Sequence, residues 1–393
     1  MPIDSDPWCV YCYAMPLSTH GPLMKGGLAM IRISKLLLLM TAAGIFLGIV
    51  TPADAKNKIL YRYYDLGTLG GTISWSTGIN NWGHVVGVSE TSTPSEFRAF
   101  VWARNEMKSL GVLEADRISG AWSINDRGQI VGFSLNSAFD RRPVLWDHAG
   151  IHELETLGGN YSDAFGINRH GKIVGWAALP NQADEIVHAV LWNRRGITNI
   201  NPLQTELSVA SSLNSKEEIV GAYLDGDFLR ALRWNKKGVE ILGTLGGDQS
   251  EAYWINDTGD AVGWCELPDG VWHACLWTSH GDILDLGAND GSYSEAYSIN
   301  RHGEVVGTYY VDDQLELAWA FIWSRKDGMR DLSELTMGLP PGIHVAYASS
   351  INDFGWIAGT SSDFRACLLI PVKVSCKDAR DRKQGGRFGC EKK

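Results

Sequence analysis

The side chains in this sequence best suited to chemistry are carboxylates. Asp163, Glu251 and Glu295 stand just ahead of copies of one recurring motif, at the entrance to its first strand. Further acids gather in the segments between the second and third strands of each copy: Glu90 and Glu96; Asp140; Asp184 and Glu185; Asp225 and Asp227; Glu266 and Asp269; Asp312, Asp313 and Glu316; Asp363. Brought to one face, such acids bind a cation, a basic partner or a polyol such as a sugar. Two of them across a cleft can also hydrolyse a glycosidic bond, provided the carboxyls lie roughly 5–9.5 Å apart. Nothing in the sequence sets that separation, and acids at hairpin tips are ordinarily solvated turn residues. The pattern therefore nominates a ligand-binding face and no catalytic residue. Its candidate residues are Asp163, Glu251, Glu295, Asp184, Asp225 and Asp312, with Trp254 as an aromatic that stands where other copies have a small residue.

Other chemistries find less support. Gly67-Thr-Leu-Gly-Gly71 has the look of a phosphate loop, but it recurs in three copies and precedes strands, which marks a structural turn. There is no Gly-x-Ser-x-Gly elbow and no sialidase-type Ser-x-Asp-x-Gly-x-x-Trp box. His170 and His302 occupy equivalent turns, and His188 and His273 equivalent strand positions, so repetition accounts for them better than metal ligation does. No Cys-x-x-Cys with a His partner follows residue 55, and we assign no metal and no cofactor. With 35 Lys and Arg against 45 Asp and Glu, the net charge of −10 argues against nucleic acid as a partner.

A frame for these acids comes from repetition. The unit Ile/Leu-Asn-x-x-x-x-x-Val/Ala-Gly occurs seven times. Its asparagines are Asn80, Asn125, Asn168, Asn214, Asn256, Asn300 and Asn352, at intervals of 45, 43, 46, 42, 44 and 52 residues. Downstream of each, an apolar run ends in Trp102, Trp146, Trp192, Trp234, Trp277 or Trp323, with Leu369 in the last copy. A Leu-Gly-Thr-Leu-Gly-Gly element lies between copies, best preserved at 66–71, 154–159 and 242–247. One copy reads as four strands: A at 295–300, B at 304–310, C at 318–323 and D at 329–332. The Asn-x-x-Gly between A and B suits a tight turn, because Asn can bond its own backbone two residues on. Glu217 replaces that Gly in the fourth copy.

A four-stranded unit of this length, seven times over, predicts an all-β, seven-bladed β-propeller with four-stranded blades spanning residues 56–372. The residue four before each Asn is always Ser or Ala, and the residue two before it is Gly or Ser except at Trp254. Side chains alternate along a strand. Both small positions are thus expected on one face of strand A, crowded at the axis, with Trp122, Phe165, Tyr253 and Tyr297 on the other. The last copy stops after strand C, while an extra D-type strand at 58–66 precedes the first. That N-terminal strand is expected to complete the last blade and close the ring. If strand A is innermost, the D–A and B–C loops share one face, which is where the acids lie.

The runs Val187-His-Ala-Val-Leu-Trp192 and Trp272-His-Ala-Cys-Leu-Trp277, joined to Gly-Thr-Leu-Gly-Gly and Ile-Asn-Asp-x-Gly-x-x-Val-Gly, resemble the bacterial extracellular repeat family called HAF after its His-Ala-Phe tripeptide. The likeness spans about residues 64–370. It departs at the tripeptide, where Arg98, Arg142, Arg230, Arg365 and Trp319 replace His. The resemblance implies export and a repeat fold. It implies no particular activity and supplies no catalytic residues.

The chain ends read as signals. Residues 30–35 are basic, 36–50 carry no charge, and 51–55 offer Ala-x-Ala, the three parts of a secretory signal peptide cleaved after Ala55. Residues 1–29 are then expected to be a spurious extension ahead of a start at Met30 or Met24. The mature chain would carry no transmembrane span, be secreted or periplasmic, and end in a basic tail at 373–393 with eight basic and three acidic residues. Export permits disulfides. Cys376 and Cys390 could close a small loop, whereas Cys265 and Cys275 flank a hairpin turn in a register that does not set them opposite each other. The sequence as a whole reads as an exported, non-catalytic module that binds carbohydrate or a basic protein surface. A propeller glycoside hydrolase or lyase and a structural envelope protein are the alternatives.

Overall fold

The alternation of apolar and polar residues in each copy builds strands, and the turn signals between them build hairpins. In the computed structural model the first blade runs Gly70–Ile79, Val85–Thr91, Phe97–Ala103 and Glu106–Ser109 as antiparallel strands A to D. The sixth runs Tyr293–Ile299, Val305–Tyr310, Ala318–Ser324 and Gly328–Asp331, close to the bounds read from sequence. Seven such sheets form a seven-bladed β-propeller with A innermost. The structure describes residues 59–373 apart from 181–185, 202, 204, 290–292, 312–314 and 316. The expected signal peptide at 30–55, the residues 1–29 ahead of it, Cys376, Cys390 and the tail beyond residue 373 lie outside the described residues. Residues Leu60–Val372 form one compact unit, and among the described residues no helix is long and apolar enough to cross a membrane.

Closure follows the expected route. Ile59–Asp65 lies beside Ala366–Lys373 as the outer strand of the seventh blade, and the Leu66 amide donates to the Ala366 carbonyl at 3.0 Å. The long connection at 332–352 adds Thr336–Met337 in parallel outside that strand, which covers the edge of the closing blade.

The repeat signature has two structural causes. Each ring asparagine is buried, and its Oδ1 accepts the backbone N–H groups two and four residues on, which shapes the A–B turn. Its Nδ2 then donates to the carbonyl of the same Asn in the next blade, from Asn80 to Asn125 and on through Asn352, which returns to Asn80. Seven bonds of 3.0–3.2 Å thus form an unbroken circuit around the axis. The second cause is a bulge in every strand A between the residues four and two before the Asn. It swings the strand A backbone over the Gly of Val/Ala-Gly in strand B. At Gly175 a methyl group would overlap the Asp163 carbonyl, and at Gly221 that of Val209.

That bulge corrects one expectation. The two small positions do not share a face, because the extra residue between them resets the alternation. In the first blade Ser76 Oγ donates back to the Gly359 carbonyl of the seventh, whereas a Cβ on Gly78 would meet the Trp122 carbonyl of the second at 3.0 Å. One small residue therefore lets the preceding blade approach and the other the following blade. Large bulge residues pack on their counterparts next door, Trp122 edge-on to Phe165 and Tyr253 stacked on Tyr297, each pair with centroids 5.9 Å apart. The tryptophans ending strand C fill the wider outer gaps. Trp192 and Trp234 donate their indole N–H to the Glu155 and Ile200 carbonyls of the connection from the preceding blade.

Candidate functional site

The D–A and B–C loops meet on one face, and their acids divide into two kinds. Several B–C acids are spent on donors of their own loop or of the adjoining D–A connection. Glu90 accepts the Thr72 amide and hydroxyl at 2.8 Å, and the backbone bond is the chief reason its carboxyl is held below its ordinary range. Its counterpart Glu266 accepts the amides of Asp248 and Gln249. Asp140 is bonded by Asn136 and Asn160, which lower it likewise. Asp225 is an exposed hairpin-tip residue 3.6 Å from Arg230 and stands apart from the buried acids. Asp184 and Asp312 lie outside the described residues.

Asp163, Glu251 and Glu295 are of the other kind. All three sit five residues before a ring Asn and are buried, at 0%, 1% and 7% exposure. Asp163 lies between the second and third blades. Its carboxylate forms an ion pair with Arg141 and accepts the Trp122 indole N–H at 2.9 Å. The Arg141 guanidinium lies over the Phe133 ring at 3.7 Å, with Tyr161 at 5.9 Å. Burial pushes the Asp163 carboxyl up, and Arg141 and Trp122 pull against that rise.

The junction of the fifth and sixth blades repeats these positions with different residues. Counted from the ring asparagines and the strand C tryptophans, Trp122, Phe133, Arg141, Tyr161 and Asp163 correspond to Tyr253, Trp264, Trp272, Tyr293 and Glu295. The guanidinium has become an indole. A second acid, Glu251, stands where the second blade has Gly120. Trp264 Nε1 lies 3.4 Å from Glu251 Oε2. Tyr297, Trp272 and Tyr253 surround Glu295 and favour its ionised form against burial, and Trp264 and Tyr253 do the same for Glu251. Trp272 packs on Tyr293 with centroids 4.2 Å apart and on Trp264 at 6.1 Å, and both Trp272 and Tyr293 are half-buried.

Among the described residues no cation balances this pair. Burial pushes Glu251 up to about 8, opposed by Trp264 and reinforced by the neighbouring Glu295 charge. Burial likewise pushes Glu295 up to about 7 against the donors around it. Near neutral pH the two carboxyls therefore hold protons that an incoming positive group would displace. Aromatic rings and indole or phenol donors form the wall. Such a wall holds an organic cation by charge and ring quadrupole, or a sugar by stacking and hydrogen bonds.

Trp254, the one aromatic among the candidates read from sequence, packs into the core between the fifth and sixth blades against residues such as Val262 and Ala296. His273 and His188 hold the adjacent strand D, through Asp285 and Asn199. Among the described residues no group of three His, Cys, Asp or Glu side chains is arranged to hold a metal. Cys265 and Cys275 form a disulfide with a Cα–Cα distance of 5.9 Å, although Cys265 stands opposite His273 and Cys275 opposite Gly263. The bond runs diagonally on one face of the hairpin, which a search for directly opposed cysteines overlooks. Arg141, Trp264 and Trp272 stand out in the sequence only when the seven copies are aligned on their ring asparagines and strand C tryptophans.

No family model matches the chain, and no curated protein does. Solved structures do, at low identity. A streptogramin B lyase is 12% identical, with a TM-score of 0.49 over 80% of this chain and 98% of that one. TolB from Acinetobacter baumannii is 13% identical, with a TM-score of 0.41 over 74% and 80%. A gluconolactonase from Xanthomonas campestris is 12% identical, with a TM-score of 0.39 over 82% and 99%. Likenesses this remote carry no functional argument.

Proposed function

We propose that this is an exported, HAF-type repeat propeller that acts as a non-catalytic binding module, taking a basic ligand group at the junction of its fifth and sixth blades. The observation that supports this is internal. The second-to-third junction encloses an acid, an aromatic platform and a guanidinium from the chain itself, whereas the fifth-to-sixth junction has two acids and more aromatic surface and, among the described residues, no guanidinium. A guanidinium or ammonium on a partner or small molecule would play the part of Arg141. Export is supported by the three-part N-terminal pattern and by the Cys265–Cys275 bond, since disulfides persist in oxidising compartments.

The test is calorimetric titration of the purified protein with methylguanidinium, an arginine-rich peptide and a panel of neutral glycans. Saturable binding of the basic probes, lost in Glu251→Gln/Glu295→Gln, is the expected result. Binding that persists in that double variant would place the site elsewhere. A carbohydrate ligand is the second reading, favoured by Trp272 and Tyr293 at the rim. Release of reducing sugar from any glycan in the panel would turn the same acid pair, with its raised titration, into the machinery of a hydrolase.

A further inference from the structure

The face opposite the acids is made of the A–B and C–D turns, and the residue two after each ring asparagine stands at the tip of an A–B turn. In five consecutive blades, from Arg127 in the second to His302 in the sixth, that residue is polar. In the seventh and first it is Phe354 and Trp82, which are 62% and 71% exposed. Those two blades meet where the ring closes, so the two departures from the pattern are neighbours. Trp356 of the seventh blade reaches across the same junction. It is half-buried, and a side chain on Gly83, the residue after Trp82, would overlap its ring. Aromatic surface thus crosses from one blade to the next.

The frame around these rings is braced. Trp82 Nε1 donates to the Asp126 carbonyl of the second blade at 2.9 Å, which fixes the plane of the indole and spends its one polar group. What remains for a ligand is ring face. Beside it, Asn81 Nδ2 donates to Asp126 Oδ2 at 3.0 Å and to Asp353 Oδ2 at 3.3 Å, and Asn81 Oδ1 accepts the Asp353 amide at 3.0 Å. A row of planar polar groups therefore runs along the aromatic surface, with carboxylate lone pairs to spare. Charge is balanced there: Arg301 Nε lies 3.9 Å from Asp353 Oδ2, and Arg127 follows Asp126. This pattern decides among occupants. A cation meets no net charge. A protein partner or a second copy needs about 800 Å² on each side with an apolar centre, and the apolar surface stops at the polar tips of the second and sixth blades. A neutral sugar chain has apolar C–H faces for the rings and hydroxyl edges for the polar row.

We propose that the junction of the seventh and first blades binds an extended neutral glycan, its sugar rings stacked on Trp82 and Phe354 and its hydroxyls bonded to Asn81, Asp126 and Asp353. The site is separate from the acidic junction of the fifth and sixth blades. The experiment is calorimetric titration of the full chain with cellohexaose, chitohexaose and glucose. Saturable binding of at least one hexasaccharide is expected, far tighter than that of glucose and indifferent to salt. Trp82→Ala and Phe354→Ala are each expected to weaken it about fivefold or more, and together to abolish it. Trp82→Phe, which restores a ring, is expected to fall between the parent and Trp82→Ala. Thermal unfolding of Phe354→Ala should match the parent, because the tip is exposed. Glu251→Gln/Glu295→Gln is expected to bind the hexasaccharide as the parent does. Failure of both hexasaccharides to bind, undiminished binding in Trp82→Ala/Phe354→Ala, loss of binding in Glu251→Gln/Glu295→Gln, or self-association that Trp82→Ala/Phe354→Ala abolishes would each overturn the proposal.

Discussion

Two blade junctions built from the same positions end with opposite electrostatics. Between the second and third blades, Asp163 is matched by Arg141, and the pair is sealed under Trp122 and Phe133. Between the fifth and sixth, Glu251 and Glu295 face each other and a set of indoles and phenols, with no cation among the described residues. Both share the strand A bulge before the asparagine and the asparagine bridge, from Asn125 to Asn168 in one and from Asn256 to Asn300 in the other. The difference therefore lies in side chains at fixed sites. A buried acid by itself says little about function. A buried acid lacking the counter-ion that its repeat partner possesses marks a place where the chain forgoes self-neutralisation.

The largest effect is expected at the neutralised junction. Arg141→Met leaves Asp163 buried without its cation and should cost about 3–5 kcal/mol in urea unfolding at pH 7. Adding Asp163→Asn should recover much of that loss. A small cost for Arg141→Met alone would mean the ion pair does not set this junction apart.

The next effect belongs to the acid pair and concerns pH. Both carboxyls titrate higher in the folded protein than their ordinary 4.5, at about 8 for Glu251 and about 7 for Glu295. The folded state then binds more protons than the unfolded state across that interval, so stability falls as pH rises through it. Below pH 4.5 both states are protonated and this contribution is fully present. Above about pH 8 it is gone. Unfolding at pH 5 and at pH 8.5 should differ by a few kcal/mol, on the order of 3, after allowing for the coupling of the two acids. Glu251→Gln/Glu295→Gln should remove most of that slope. If the slope survives the double substitution, other groups own it and the contrast between the junctions is weaker than drawn.

The frame was legible in the sequence to a degree that the site was not. Seven copies of Asn-x-x-x-x-x-Val/Ala-Gly specify seven blades because each signature residue answers a constraint common to all: the asparagine bridges to its successor, and the glycine yields room to the bulged strand. A requirement met seven times writes itself into the sequence seven times. The bulge stayed hidden because residue type at a small position does not report which way a side chain points. The site stayed partly hidden for the opposite reason, since it is made of residues that break the pattern once. Glu251 and Glu295 were visible as acids, but Asp225 looked the same and is a solvated tip. Only the partners separate them, and Arg141 and Trp272 lie in a different strand, more than twenty residues from the acids they serve.

The asparagine circuit gives a control on the comparison. Asn125→Ala and Asn256→Ala each remove one inter-blade bond and the acceptor that shapes one turn. Each should cost about 1–3 kcal/mol in thermal or urea unfolding. The two costs should be alike, because the frame is alike. A marked inequality would show that the junctions differ in backbone packing as well as in charge, and the electrostatic contrast would need to be read through that difference.

The smallest expected effect is the most discriminating. Trp272→Arg installs at the fifth-to-sixth junction the residue type that Arg141 provides at the other, next to Glu295 and within reach of the Trp264 ring as Arg141 is of Phe133. The substitution loses the packing of Trp272 on Tyr293 and gains a charge pair. At pH 5, where Glu295 is protonated, only the loss counts and the variant should be the less stable. At pH 8.5 the guanidinium holds Glu295 ionised at lower pH than before, so part of the alkaline penalty disappears and the net change should be a gain of about 1 kcal/mol. The crossing of the two stability profiles is the signature, because a purely structural role for Trp272 predicts a loss of similar size at both pH values. The same variant should bind methylguanidinium more weakly than the parent, since the place is already taken. If the profiles run parallel and binding is unchanged, the equivalence of the two junctions ends at the backbone.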